Sequence, residues 1–138
     1  MEISRDHDDE CGVDVTLSAG TFSGAGHAWL HIADIEAFSS QCRRLADTSV
    51  GEARLTGGYA GDLTIDVALR PLGGRGHILA VAKLSTRPPD LDAKIYAPAL
   101  VSGGLIVEPA ELSVFAKSLT DIPRGGSVNA TMRGQSAA

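Results

Sequence analysis

Between His27 and Leu45 the hydrophobic pattern changes period, and that change constrains most of what the chain can fold into. Over His27–Ala33, Ala28, Leu30 and Ile32 alternate with His27, Trp29 and His31. A period of two is the signature of a half-buried strand. Phe38, Cys42 and Leu45 then follow Ile35 at three, seven and ten residues, which is one stripe of a helix. Asp34 stands where an N-cap belongs, and Arg43 and Arg44 suit the negative end of the helix dipole. Glu52–Thr56 is again short and strand-like. A strand, a helix and a strand in such close succession must bury the helix stripe against a sheet.

The flanking segments fill out that sheet. Val13–Ser18 alternates Val13, Val15 and Leu17 with Asp14, Thr16 and Ser18. The glycine-rich run 19–26 reads as a hairpin connection. Gly61–Arg70 sends Leu63, Ile65, Val67 and Leu69 inward and Asp62, Thr64, Asp66 and Ala68 outward. Pro71–Gly76 turns the chain into His77–Ser85, which is apolar on both faces and so predicts a central strand. Thr86–Asp90 reads as an open loop, and Ala93–Ala99 as a strand that ends or lies on an edge at Pro98. Ser102–Gly104 reads as a turn and Leu105–Val107 as a last short strand. A second helix starts with Pro109 at its first position, buries Leu112, Phe115, Ala116 and Leu119, and stops at Pro123. The expected fold is α+β: a single antiparallel sheet of about six or seven strands with two helices packed on one face. Residues 1–12 are expected to form a flexible acidic tail, 13–122 the domain, and 123–138 a flexible C-terminal tail.

At 138 residues the chain has the length of one domain. Aromatic residues make up 4% of it, so the core rests on aliphatic side chains, with Phe22, Phe38 and Phe115 as the large fillers. A net charge of −5 argues against nucleic-acid or anionic-membrane binding, both of which need a basic surface. Two cysteines cannot make a disulfide scaffold; Cys42, on the helix stripe, behaves as a small hydrophobe, and a Cys11–Cys42 bridge is not expected. Residues 1–10 lack the basic-then-apolar order of a signal peptide, and no apolar run is long enough to span a membrane. A cytoplasmic location is the expectation.

No catalytic pattern stands out. The acidic run around His7 has no loop geometry to hold an ion. His27 and His31 would be about 13 Å apart along a strand, too far to chelate one metal without His77 from a neighbour. Asp62 and Asp66 would be separated by about the same distance, beyond the carboxylate spacing of an inverting glycosidase. There is no G-x-S-x-G and no Cys–His signature. No catalytic, metal or cofactor residue is therefore nominated. The uncovered sheet face is a better candidate. It would carry a lone tryptophan among charges, with Trp29, His31, Arg54, Asp62 and Asp66 as partner-binding residues.

The order of motifs resembles WapI-type bacterial immunity proteins and related uncharacterised domains. The matching segments are Phe22-Ser23-Gly24, Asp34-Ile35-Glu36-Ala37-Phe38, Gly51-Glu52-Ala53-Arg54-Leu55 and Leu63-Thr64-Ile65-Asp66-Val67, completed by Gly76–Leu84 and Leu112–Leu119. They span roughly residues 13–119, and most are core or turn positions, so no functional residue is carried over. The Val107-Glu108-Pro109 entry to the last helix departs from the pattern. The resemblance implies a cytoplasmic non-enzyme that neutralises a cognate toxin domain, with a basic toxin suited to the acidic chain. Two other readings stay open: a ligand-binding or enzymatic domain with a pocket between sheet and helices, and a structural module that pairs copies of itself as a homodimer or larger oligomer.

Overall fold

The computed structural model describes residues 1–5, 12–19, 22–57, 63–86, 100–121, 129–132 and 134–136. The chain forms β1 (Glu2–Arg5), β2 (Gly12–Ala19), β3 (Phe22–Trp29), α1 (Ile32–Thr48), β4 (Ala53–Gly57), β5 (Leu63–Leu72), β6 (His77–Thr86), β7 (Leu100–Val107), α2 (Pro109–Asp121), β8 (Asn129–Thr131) and β9 (Gln135–Ser136). The class is α+β with antiparallel pairing throughout, but the strands form two sheets rather than one. Four lie in the order β3-β2-β1-β8 and five in the order β4-β5-β6-β7-β9. Helix α1 is the reason. It carries the chain from β3, an edge of the first sheet, to β4, an edge of the second. There the Arg54 backbone N–H donates to Gln41 Oε1 of α1 at 3.0 Å, so a helix side chain takes a donor that a further strand would otherwise use.

The five-stranded sheet has one sealed face. Ala53 and Leu55, then Ile65, Val67 and Leu69, then Ile78, Ala80, Ala82 and Leu84, then Leu105 and Val107 are all buried. The ladder places them side by side, for example Leu55 beside Val67 and Val67 beside Ala82. Strand β6 is central, as its apolar character on both faces predicts. Helix α1 packs on β4 and β5, and α2 packs on α1 and β8. Strand β2 reaches β7, and β3 reaches β5 and β7, so the first sheet closes the same core. Helix α1 thus packs directly on the five-stranded sheet, while α2 packs on α1 and on β8 of the other sheet.

The helix stripes hold as read. Ile35, Phe38, Cys42 and Leu45 of α1 are buried, as are Leu112, Phe115, Ala116 and Leu119 of α2. Phe38 and Phe115 meet edge to face, with ring centroids 6.3 Å apart. Beside them lies Ser39, a buried polar residue whose Oγ donates to the Ala116 carbonyl at 2.7 Å and sits 2.6 Å from Thr120 Oγ1. Thr120 Oγ1 also contacts the Ala116 carbonyl at 3.1 Å. With two hydroxyl protons, two of these three contacts are hydrogen bonds at a time: one hydroxyl donates to the carbonyl and the other to its fellow hydroxyl. Ser39 therefore keeps a partner, and a polar group that would otherwise be costly to bury is satisfied. The helix begins at Ile32 with His31 as N-cap, so Asp34 lies within the first turn instead of capping it. Its end falls at Ser49, whose N–H donates to the Leu45 carbonyl.

Both expected tails need correction. Met1 and Ile3 are buried, and β1 pairs with β2 and β8. Ala130 and Met132 are buried too, and Met1 and Met132 exchange two backbone hydrogen bonds of 2.8 and 3.0 Å. Strand β9 then joins β7 beside Leu105 and Ile106. The segment from β8 to β9 therefore ties one sheet to the other. Gly134 lies between them, where a Cβ would collide with the Ile106 carbonyl. The hairpin expected over 19–26 joins β2 to β3, but more tightly than read, since Ala19 pairs with Phe22 and β3 takes in Phe22–Gly26; the turn expected at 102–104 is strand, within β7. The strand expected over 93–99, and Cys11, lie outside the described residues.

Cys42 is free and buried, and burial pushes its thiol up to about 12 from 9.0. The thiol in the folded chain should not react with a disulfide reagent at pH 8 and should titrate fully once the chain unfolds. Above pH 9 the unfolded state releases this proton while the folded state keeps it. The group therefore costs stability as pH rises towards about 12, at about 1.4 kcal/mol per pH unit. Denaturant titrations of the wild type and Cys42→Ala over that window check the slope, which the variant should lack.

Candidate interaction face

The reverse side of the five-stranded sheet is built by the same alternation that fills the core. Residues between the buried positions point the other way. Three rows cross it. Arg70, Leu79 and Ile106 stand side by side, then Arg54, Ala68, Val81 and Gly104, then Thr56, Asp66, Lys83 and Ser102. Arg54, Thr56, Arg70, Lys83 and Ser102 are exposed, whereas Leu79, Val81, Ala68 and Ile106 are half-buried by their neighbours. The face is thus apolar along its middle strands and charged towards β4 and one end.

Arg54 Nη2 donates to Asp66 Oδ2 at 3.1 Å, with both side chains in contact with solvent. Exposed pairs of this kind contribute about 0–1 kcal/mol, so the pair orients side chains more than it stabilises the fold. At the far end of β6, His77 Nε2 lies 3.1 Å from Glu108 Oε1, tying the sheet to the start of α2.

Of the five residues nominated from sequence, the structure brings Arg54 and Asp66 together on this face. Trp29 belongs to the other sheet, opposite Gly12 in the β2–β3 ladder. His31 is exposed but caps α1, because the strand ends at Trp29. Asp62 lies outside the described residues. The sequence reading missed Leu79, Val81 and Ile106. The signal for Leu79 and Val81 was visible in β6, whose second apolar set marks the middle of the open face, and Ile106 of β7 stands beside Leu79.

Among the described residues no group of three histidine, cysteine, aspartate or glutamate side chains is placed to hold a metal, and no helix is long and apolar enough to cross a membrane. A cavity of about 440 Å³ lies at the junction of the two sheets, lined by residues of β1, β2, β7 and the β8–β9 segment, away from the helix–sheet interface. No family model, curated protein or solved structure matches this chain.

Proposed function

We propose that the chain is a non-enzymatic protein-binding domain, an immunity-type protein that docks a cognate toxin domain on the open face of its five-stranded sheet. One observation supports this reading above the others. A sheet sealed on one side keeps Leu79, Val81 and Ile106 half-buried in the middle of the other, bordered by Arg54, Asp66, Arg70 and Lys83. An apolar centre with a charged, arginine-containing rim is the usual anatomy of a protein interface. The net charge of −5 would speed the approach of a basic partner through the long-range field. Local register would differ: the partner needs a basic group opposite Asp66 and acidic groups near Arg70 and Lys83. A cytoplasmic site of action accompanies this reading.

The test is capture of a partner by the full chain from its source cell, followed by affinity measurements on two surface variants. Val81→Arg and Asp66→Lys should each weaken binding at least tenfold, about 1.4 kcal/mol, while melting temperature stays near that of the wild type. Affinities within twofold of the wild type for both variants would remove this face from consideration.

A further inference from the structure

We propose that β9 is a latch, which opens and closes on the edge of β7 while β8 stays fixed in the other sheet. The device stands apart from the docking reading. It concerns how the sheet edge beside the open face is covered, whatever that face binds.

The two strands near the C-terminus are held very differently. Asn129, Ala130 and Thr131 of β8 pair with Ser4, Ile3 and Glu2 of β1, and β2 flanks β1 on its other side. Ala130 and Met132 are buried, and the Met132 N–H donates to the Met1 carbonyl at 2.8 Å. Helix α2 packs on β8. Strand β9 has no such anchor among the described residues. Its ladder there has two positions, Gln135 beside Ile106 and Ser136 beside Leu105. Gly134, which leads into it, is exposed. A strand held at so few positions opens locally, at a free energy well below that of global unfolding.

The backbone shows which groups the latch covers. A Cβ on Gly134 would collide with the Ile106 carbonyl oxygen, so that carbonyl points towards β9. The N–H and C=O of one strand residue point to the same side, and the next residue reverses them. Ile106 therefore directs its donor and acceptor to Gln135, and Leu105 directs its own to Ala80 of β6. The latch closes through that one backbone pair, and its seat requires the missing side chain at 134. With β9 seated, the β7 edge is occupied at Ile106. With β9 released, the Ile106 N–H and C=O face outward beside the Leu79–Ile106 row of the open face. They then offer the same two bonds to an extended segment of another chain.

Native-state hydrogen exchange of the full chain, read by NMR without urea and at low urea, tests the proposal. In the wild type the Ile106 amide should exchange at least about tenfold faster than the Leu105 amide, at a rate that low urea does not change. The Leu105 and Ile3 amides should exchange slowly and accelerate with urea. Gly134→Ala blocks the seat, and Gln135→Pro removes the N–H that the Ile106 carbonyl accepts. Each should speed Ile106 exchange by a further factor of about ten and leave Leu105 and Ile3 within about threefold of the wild type. An Ile106 amide that shares the rate and urea dependence of Leu105 in the wild type would show that β9 opens only with the whole sheet, and would overturn the proposal. Unchanged Ile106 exchange in either variant, or a variant that speeds all three amides together or fails to fold, would overturn it as well.

Discussion

Replacing Phe38 by alanine is expected to destabilise the chain by about 3–5 kcal/mol, against a total stability for domains of this size of about 5–15 kcal/mol. The ring is fully buried and sits where α1 meets α2. Its loss removes the transfer free energy of the side chain and leaves a cavity that neighbours held in sheet and helix close only in part. Phe115→Ala should cost a similar amount, because that ring is equally buried and contacts the first at 6.3 Å with planes 81° apart. The two costs should not add. Edge-to-face pairs carry about 0.5–1.5 kcal/mol beyond their buried area, so the double variant should fall short of the summed singles by about that much. Urea denaturation of the four proteins measures both quantities. A cost below about 1 kcal/mol for either single change would mean that the helix pair is not packed as described.

The same two rings show what was legible in advance. Periodicity located both, because a helix stripe repeats over several turns within one short segment and each turn confirms the last. Ser39 escaped, since a polar residue at the inner edge of a stripe looks like any surface serine. Its burial depends on Ala116 and Thr120, which lie far along the chain. Strand β1 escaped for a related reason. Met1 and Ile3 are two apolar residues, too few to establish a period, and their partners Ala130 and Met132 sit at the other end of the sequence. The glycine runs in β3 and β7 misled in the opposite direction. Local propensity marks glycine as a turn former, but inside a paired strand the ladder fixes the backbone, and the missing side chain leaves room for a neighbour. Gly103 falls beside Ala82 on the core side, so small residues adjoin there. The division into two sheets was not readable at all. It depends on where α1 delivers the chain, and alternation specifies which face a residue occupies without specifying the sheet.

Substituting aspartate for Val67 should be the most damaging single change on the sheet, and its cost should depend steeply on pH. Val67 is fully buried on β5, and its cross-strand neighbours Leu55 and Ala82 are buried and apolar. A carboxyl group there has no partner in its row. Full burial raises a carboxyl pKa by about 3–5 units, so at pH 7 the ionisation of the unfolded state alone costs about 4 kcal/mol, about 1.4 for each of the three units above its pKa near 4. The loss of the valine side chain adds to that. The variant should therefore be largely unfolded at pH 7. The sign of the pH effect follows from where the proton sits. The folded variant keeps the group protonated well above pH 4, whereas the unfolded chain releases the proton near pH 4. Between those values the folded state binds more protons, so the variant gains about 1.4 kcal/mol relative to the wild type for each unit the pH is lowered, until the unfolded chain is protonated too. Val67→Asn carries a similar polar burden with no proton to exchange, and its cost relative to the wild type should be flat with pH. Circular dichroism across pH 4 to 8 on the three proteins separates the cases. A Val67→Asp penalty that does not change with pH would place that side chain in contact with water, on the wrong side of the sheet.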